Sequence, residues 1–124
     1  MKELALVFVG GGAGSVVRFL IGKAVVSRYN SLFPYATFGV NILASFILGL
    51  MIATFNKKPN GMQWLLLLVG TGFCGGLSTF STFSYENFSL LQKGETSMFF
   101  IYTIASFVAC LAGVAGGYFA ARSM

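Results

Sequence analysis

Four long apolar stretches, separated by short polar ones, take up nearly the whole chain. A bilayer core takes about 20 apolar residues at a helical rise of roughly 1.5 Å each. The pattern predicts an all-α membrane protein with helices over residues 4–26, 36–55, 63–91 and 97–121 of a single transmembrane domain, residues 1–124. Pro34 signals the turn before the second segment. Asn56-Lys57-Lys58-Pro59-Asn60-Gly61 closes that segment, and Gln92-Lys93-Gly94-Glu95-Thr96 separates the third from the fourth.

The third segment breaks the pattern. Within it, Gly72-Phe73-Cys74-Gly75-Gly76-Leu77-Ser78-Thr79-Phe80-Ser81-Thr82-Phe83 holds three glycines and four hydroxyl residues where a plain membrane helix carries leucine. Backbone entropy and competing side-chain hydrogen bonds weaken a helix of that composition, so a break is expected at about 74–79. In hydrocarbon, unwound backbone survives only when it is buried in protein or lines a cavity, and a broken membrane helix is a recurrent way of building an ion or substrate site.

Two further glycine clusters, Gly10-Gly11-Gly12-Ala13-Gly14 and Ala112-Gly113 with Gly116-Gly117, are expected to let helices approach closely. The first superficially looks like a dinucleotide fingerprint. It lacks the strand–turn–helix context, and no acid follows at the required distance. A signal peptide fits poorly, because Met1-Lys2-Glu3 carries little positive charge and the apolar run at 4–9 is short.

Composition agrees with the pattern: 56% of residues are hydrophobic and 9% charged, and mean hydropathy is +0.83. A soluble domain carries about a quarter charged residues. The net charge of +5 does not point to nucleic acid, because the basic residues stand near segment ends, where they anchor to lipid headgroups. There is no histidine and no aspartate, which leaves little for metal chelation or acid–base catalysis, and no enzyme is expected. Cys74 and Cys110 are far apart and read as free packing thiols. With four spans, one side holds Lys2, Lys57, Lys58 and Arg122, and the other Lys23, Arg28 and Lys93, with Arg18 if it reaches the interface. So little bias permits insertion both ways up and an antiparallel homodimer. Four helices also enclose too little volume for a private aqueous pore.

Few side chains could carry chemistry. Arg18 lies about two-thirds along the first span and either snorkels or lures an anion. Asn41 has Thr37 one turn before it and Ser45 one turn after. It either bridges helices or donates to an anion. Tyr102, Ser106 and Cys110 repeat at one-turn intervals as a polar track or as interhelical glue. Glu86 reads as the one buried acid, able to pair with a cation, accept hydrogen bonds or couple proton movement. Phe80 and Phe83 share a face just beyond the break. They suit core packing, or edge-on contact with an anion through the positive ring edge, which attracts without trapping.

GFCGGLSTFSTF at 72–83, Asn41 in ATFGVN and GGGAGSVVRF at 10–19 together resemble the Fluc (CrcB) fluoride channel family across the whole chain. The resemblance implies a dual-topology homodimer with two antiparallel pores in a prokaryotic plasma membrane, passing fluoride passively and so conferring resistance to it. Residue by residue, it places Phe80 and Phe83 in a phenylalanine box, Asn41 as a fluoride donor, and Tyr102 and Ser106 on a polar track. It also places Thr37 one turn before the asparagine, Arg18 at the vestibule and Glu86 close to the path. It implies a structural sodium ion at the dimer centre, held by main-chain carbonyls of Gly75 and Ser78. Ser78 and Ala36 depart from a frequent threonine and glycine, and Cys110 stands where serine can occur on the track. The alternative reading is a small four-helix, dual-topology, proton-coupled multidrug exporter, which needs an acid in the first span where this chain has Arg18. A third is a non-transporting assembly subunit, which leaves Asn41, Arg18 and the hydroxyl-rich break unexplained.

Overall fold

The computed structural model describes all 124 residues, Met1–Met124. Every regular element is helical. The first helix runs Lys2–Arg28, the second Tyr35–Lys57 and the fourth Thr96–Ser123, while the third span, Gln63–Gln92, is composite. All four are long and apolar enough to cross a membrane, and their ends fall within two residues of the sequence expectation. Large apolar side chains such as Phe8, Phe19, Phe107 and Leu111 point outward, as suits a chain whose solvent is lipid.

The second and fourth helices pack most extensively, and the first helix lies along the first half of the third span. Both contacts depend on glycine. A Cβ at Gly10 or Gly14 would fall on the carbonyl oxygens of Leu68 and Phe73, and one at Gly49 or Gly117 on those of Val114 and Phe46. The glycine clusters therefore serve close helix packing, although Gly12 faces open space.

The third span begins with a short α-turn, Gln63–Leu65, then winds wide as a π-helix over Leu66–Cys74 and returns to α geometry for Gly75–Leu77. Ser78 (φ −76°, ψ 154°) and Thr79 (φ −152°, ψ 120°) are extended, and an α-helix resumes at Phe80–Gln92. The break thus lies at the C-terminal edge of the expected 74–79 window. Upstream of it the glycine-rich stretch stays helical but wider and underwound, a form often found at functional sites.

Phe80–Gln92 stops because Gly94 takes φ +74°. Gly94 N–H donates to Leu91 O and Glu95 N–H to Leu90 O, the paired bonds of a Schellman ending. No atom lies within 4 Å of where a Gly94 Cβ would sit, so only backbone conformation opposes a side chain. Gly94→Ala is expected to cost about 1 kcal/mol, read as a lowered unfolding midpoint in detergent.

Candidate functional site

The break is held together by one side chain. Thr79 N–H, which a continuous helix would send to Gly75 O, donates instead to Asn41 Oδ1 at 2.8 Å, and Asn41 Nδ2 donates to Thr79 O at 3.3 Å. Asn41 therefore replaces a peptide unit on both sides of Thr79, which matters where an unmet backbone group costs several kcal/mol. Its amide nitrogen carries two donors, and the bond to Thr79 occupies one. Thr79 also caps the second half-helix: its Oγ1 accepts from Thr82 N–H at 3.2 Å.

These diversions free carbonyls. Thr82 N–H would otherwise serve Ser78 O, just as Thr79 N–H would serve Gly75 O. Gly76 O accepts from Arg18 Nε at 3.1 Å and from Ser15 Oγ at 3.5 Å. Arg18 is thus partly buried and tied to the break, a role that neither sequence reading contained.

Two openings meet at Thr79. A groove of about 290 Å³ is lined by Asn41, Ser45, Ser78, Thr79, Phe80, Phe83, Ser106, Phe107 and Cys110. Phe80 is 74% exposed and Phe83 8%, with ring centroids 5.7 Å apart and planes tilted by 36°. Ser106 Oγ is buried with no hydrogen-bond partner. A buried hydroxyl left unpaired costs about 1–3 kcal/mol, so this groove contains a donor waiting for an acceptor. A wider cleft lies on the other side of Thr79. Arg18, Lys23, Ala36, Thr37, Thr82 and Glu86 are among its walls.

Glu86 is half-buried rather than buried. Thr37 Oγ1 donates to its Oε1 at 2.7 Å and Tyr102 OH to its Oε2 at 2.7 Å. Of the three roles left open for this acid, the contacts are those of a hydrogen-bond acceptor. Tyr102 is fully buried, lines neither opening and lies against Phe83, with ring centroids 5.1 Å apart. Its hydroxyl is committed to Glu86, so the expected track along the fourth helix is interrupted at its first member. Asn41, Phe80, Phe83 and Ser106 come together in the groove; Arg18, Thr37 and Glu86 meet in the cleft. Gly75 faces outward from the break and Ser78 lines the groove.

Sequence reasoning missed two features. Thr79 is the hub, and the N-cap pattern of a hydroxyl residue before a helix could have marked it. Asn87 is buried, donates from Nδ2 to Phe83 O at 3.0 Å and accepts from Thr103 Oγ1 at 3.0 Å. It ties the Phe83 turn to the fourth helix. Cys110, expected either on the polar track or as a packing thiol, lines the groove. No cluster of three or more histidine, cysteine or acidic side chains could hold a metal.

Residues 5–118 match the family described as "CrcB-like protein, Camphor Resistance (CrcB)". The chain is similar to proteins named "Fluoride-specific ion channel FluC" in several organisms. It is 46% identical to that of Gloeothece citriformis, over 86% of this chain and 85% of the relative. It is 49% identical to that of Ignicoccus hospitalis, over 86% and 84%. For that of Pyrococcus furiosus the identity is 43%, over 98% of both chains.

Proposed function

This chain belongs to the CrcB family, and from that we infer that it is a fluoride-specific ion channel in a multi-pass membrane protein. The observation that carries the mechanism is the groove beside the break, where Asn41, an unpartnered Ser106 hydroxyl and the rings of Phe80 and Phe83 meet. Fluoride is small and strongly hydrated, so a path must return the hydrogen bonds that the ion gives up. The free N–H of Asn41 and the Ser106 hydroxyl supply donors, and ring edges supply weak positive potential without a deep well. Arg18, turned toward the break from the cleft, adds positive charge at its approach. Thr37 and Tyr102 hold the Glu86 carboxylate back from the path by occupying both its oxygens.

Flow is passive, down the gradient from cytoplasm to outside across the plasma membrane, and no reaction is catalysed. The working unit is an antiparallel homodimer. Two observations support this: the groove is open along one side, and Thr71, Gly75, Ser81 and Ser84 of the third span are exposed at membrane depth, where lipid is a poor neighbour for hydroxyls. A second copy would cover both.

A resident sodium ion fits the donor set. The carbonyls of Gly75 and Ser78 have both lost their helical donors, and a hard cation prefers oxygen ligands. When bound it would supply positive charge to oxygens that lipid cannot solvate. Nothing favours the multidrug exporter, since the first helix carries no acid beyond its opening turn. Expression in a bacterium lacking its own fluoride exporter tests the reading. Growth on fluoride medium should be restored, while sensitivity to organic cations stays unchanged. Restored resistance to cationic drugs alone would reverse the assignment.

A further inference from the structure

Cys110 lies one turn beyond Ser106 on the fourth helix, lines the groove and is a free, partly exposed thiol. Ser106 lines the same groove, is 7% exposed, and its Oγ has no partner. A buried, unmet hydroxyl marks this end of the groove as a place for a small ligand. The thiol borders that same place. It is a weak hydrogen-bond donor there, but its thiolate is a nucleophile toward sulfur electrophiles. The other cysteine, Cys74, is 3% exposed and packs with Val40, Ala44 and Leu77, so it offers a reagent no approach.

We propose that Cys110 is a modification site inside the anion path, where a small uncharged sulfur electrophile forms a mixed disulfide and closes the path. The inference rests on the channel reading. With methyl methanethiosulfonate, the Cys110 thiolate attacks the sulfenyl sulfur. The new protein S–S bond forms as the reagent's own S–S bond breaks, methanesulfinate leaves with the bonding pair, and the thiol proton passes to water. The added methylthio group is apolar and offers fluoride no donor in a space bordered by Asn41, Ser45 and Phe107. A dithiol reductant reverses the step by exchange.

The test uses full-length protein in fluoride-loaded liposomes. Efflux is followed with a fluoride electrode, and modification by intact-protein mass and peptide mapping. Methyl methanethiosulfonate should label Cys110 alone and lower efflux by about tenfold, and dithiothreitol should restore it. Cys74→Ala should remain sensitive, while Cys110→Ser, whatever its own flux, should become insensitive. Efflux that persists after complete labelling of Cys110 overturns the inference and leaves the channel reading intact. A Cys110 that stays unlabelled in the folded protein also overturns it. Absence of fluoride efflux before any reagent is added overturns the channel reading, and the inference with it.

Discussion

Phe83→Ile is expected to reduce fluoride efflux by at least about tenfold, the equivalent of one lost edge-on ring contact of about 1.4 kcal/mol. Phe83 is 8% exposed and packs against Tyr102, so the same substitution also removes an aromatic pair and costs about 1 kcal/mol of stability. Phe80→Ile separates the two effects. Phe80 is 74% exposed, so isoleucine there leaves the fold of the single chain nearly untouched while removing the second ring from the groove. Electrode-recorded efflux should fall in both variants, with the unfolding midpoint lowered only in the first. Undiminished flux in both would remove the rings from the mechanism and reduce them to packing.

Asn41→Asp carries the largest expected loss. A carboxylate is close in shape to the amide and can still accept from Thr79 N–H, as Asn41 Oδ1 does now. It cannot donate to Thr79 O or to an anion. It also adds a negative charge to the groove, and a like charge at 4 Å costs about 4 kcal/mol at an effective dielectric of 20. Fluoride efflux should drop by at least about a hundredfold. Asn41→Ala differs in kind, because it strips Thr79 of both partners and should destabilise the break itself by about 1–3 kcal/mol. Efflux measured beside thermal unfolding in detergent distinguishes the two. An aspartate variant that conducts normally would show that Asn41 serves only to hold the break.

The spans were legible because hydropathy and turn residues determine them: Pro34, Asn60-Gly61 and Gly94 all stand at helix boundaries. The break was legible from its hydroxyls, and the structure brings Asn41, Phe80, Phe83 and Ser106 into one groove. What the sequence could not give were partners chosen across space. Nothing in the spacing of Asn41 reveals that its amide would pair with Thr79 thirty-eight residues away. In the same way, Arg18 reaches Gly76, and Asn87 joins Phe83 to Thr103. Glu86 reads as buried from its place just after the phenylalanines, whereas the cleft reaches it and leaves it half-exposed. Tyr102 sits on the expected face, but its hydroxyl is spent on Glu86, a commitment that helical periodicity does not encode. The π-helical winding of Leu66–Cys74 follows no residue signature beyond the glycines that let the first helix come close.

The most direct measurement of the central claim is anion efflux from liposomes carrying the purified protein in sodium buffer, recorded with fluoride and chloride electrodes in parallel. The groove, with its few neutral donors and the rings of Phe80 and Phe83, predicts rapid fluoride release with chloride retained. Equal release of both ions, or of neither from folded protein, would contradict the account.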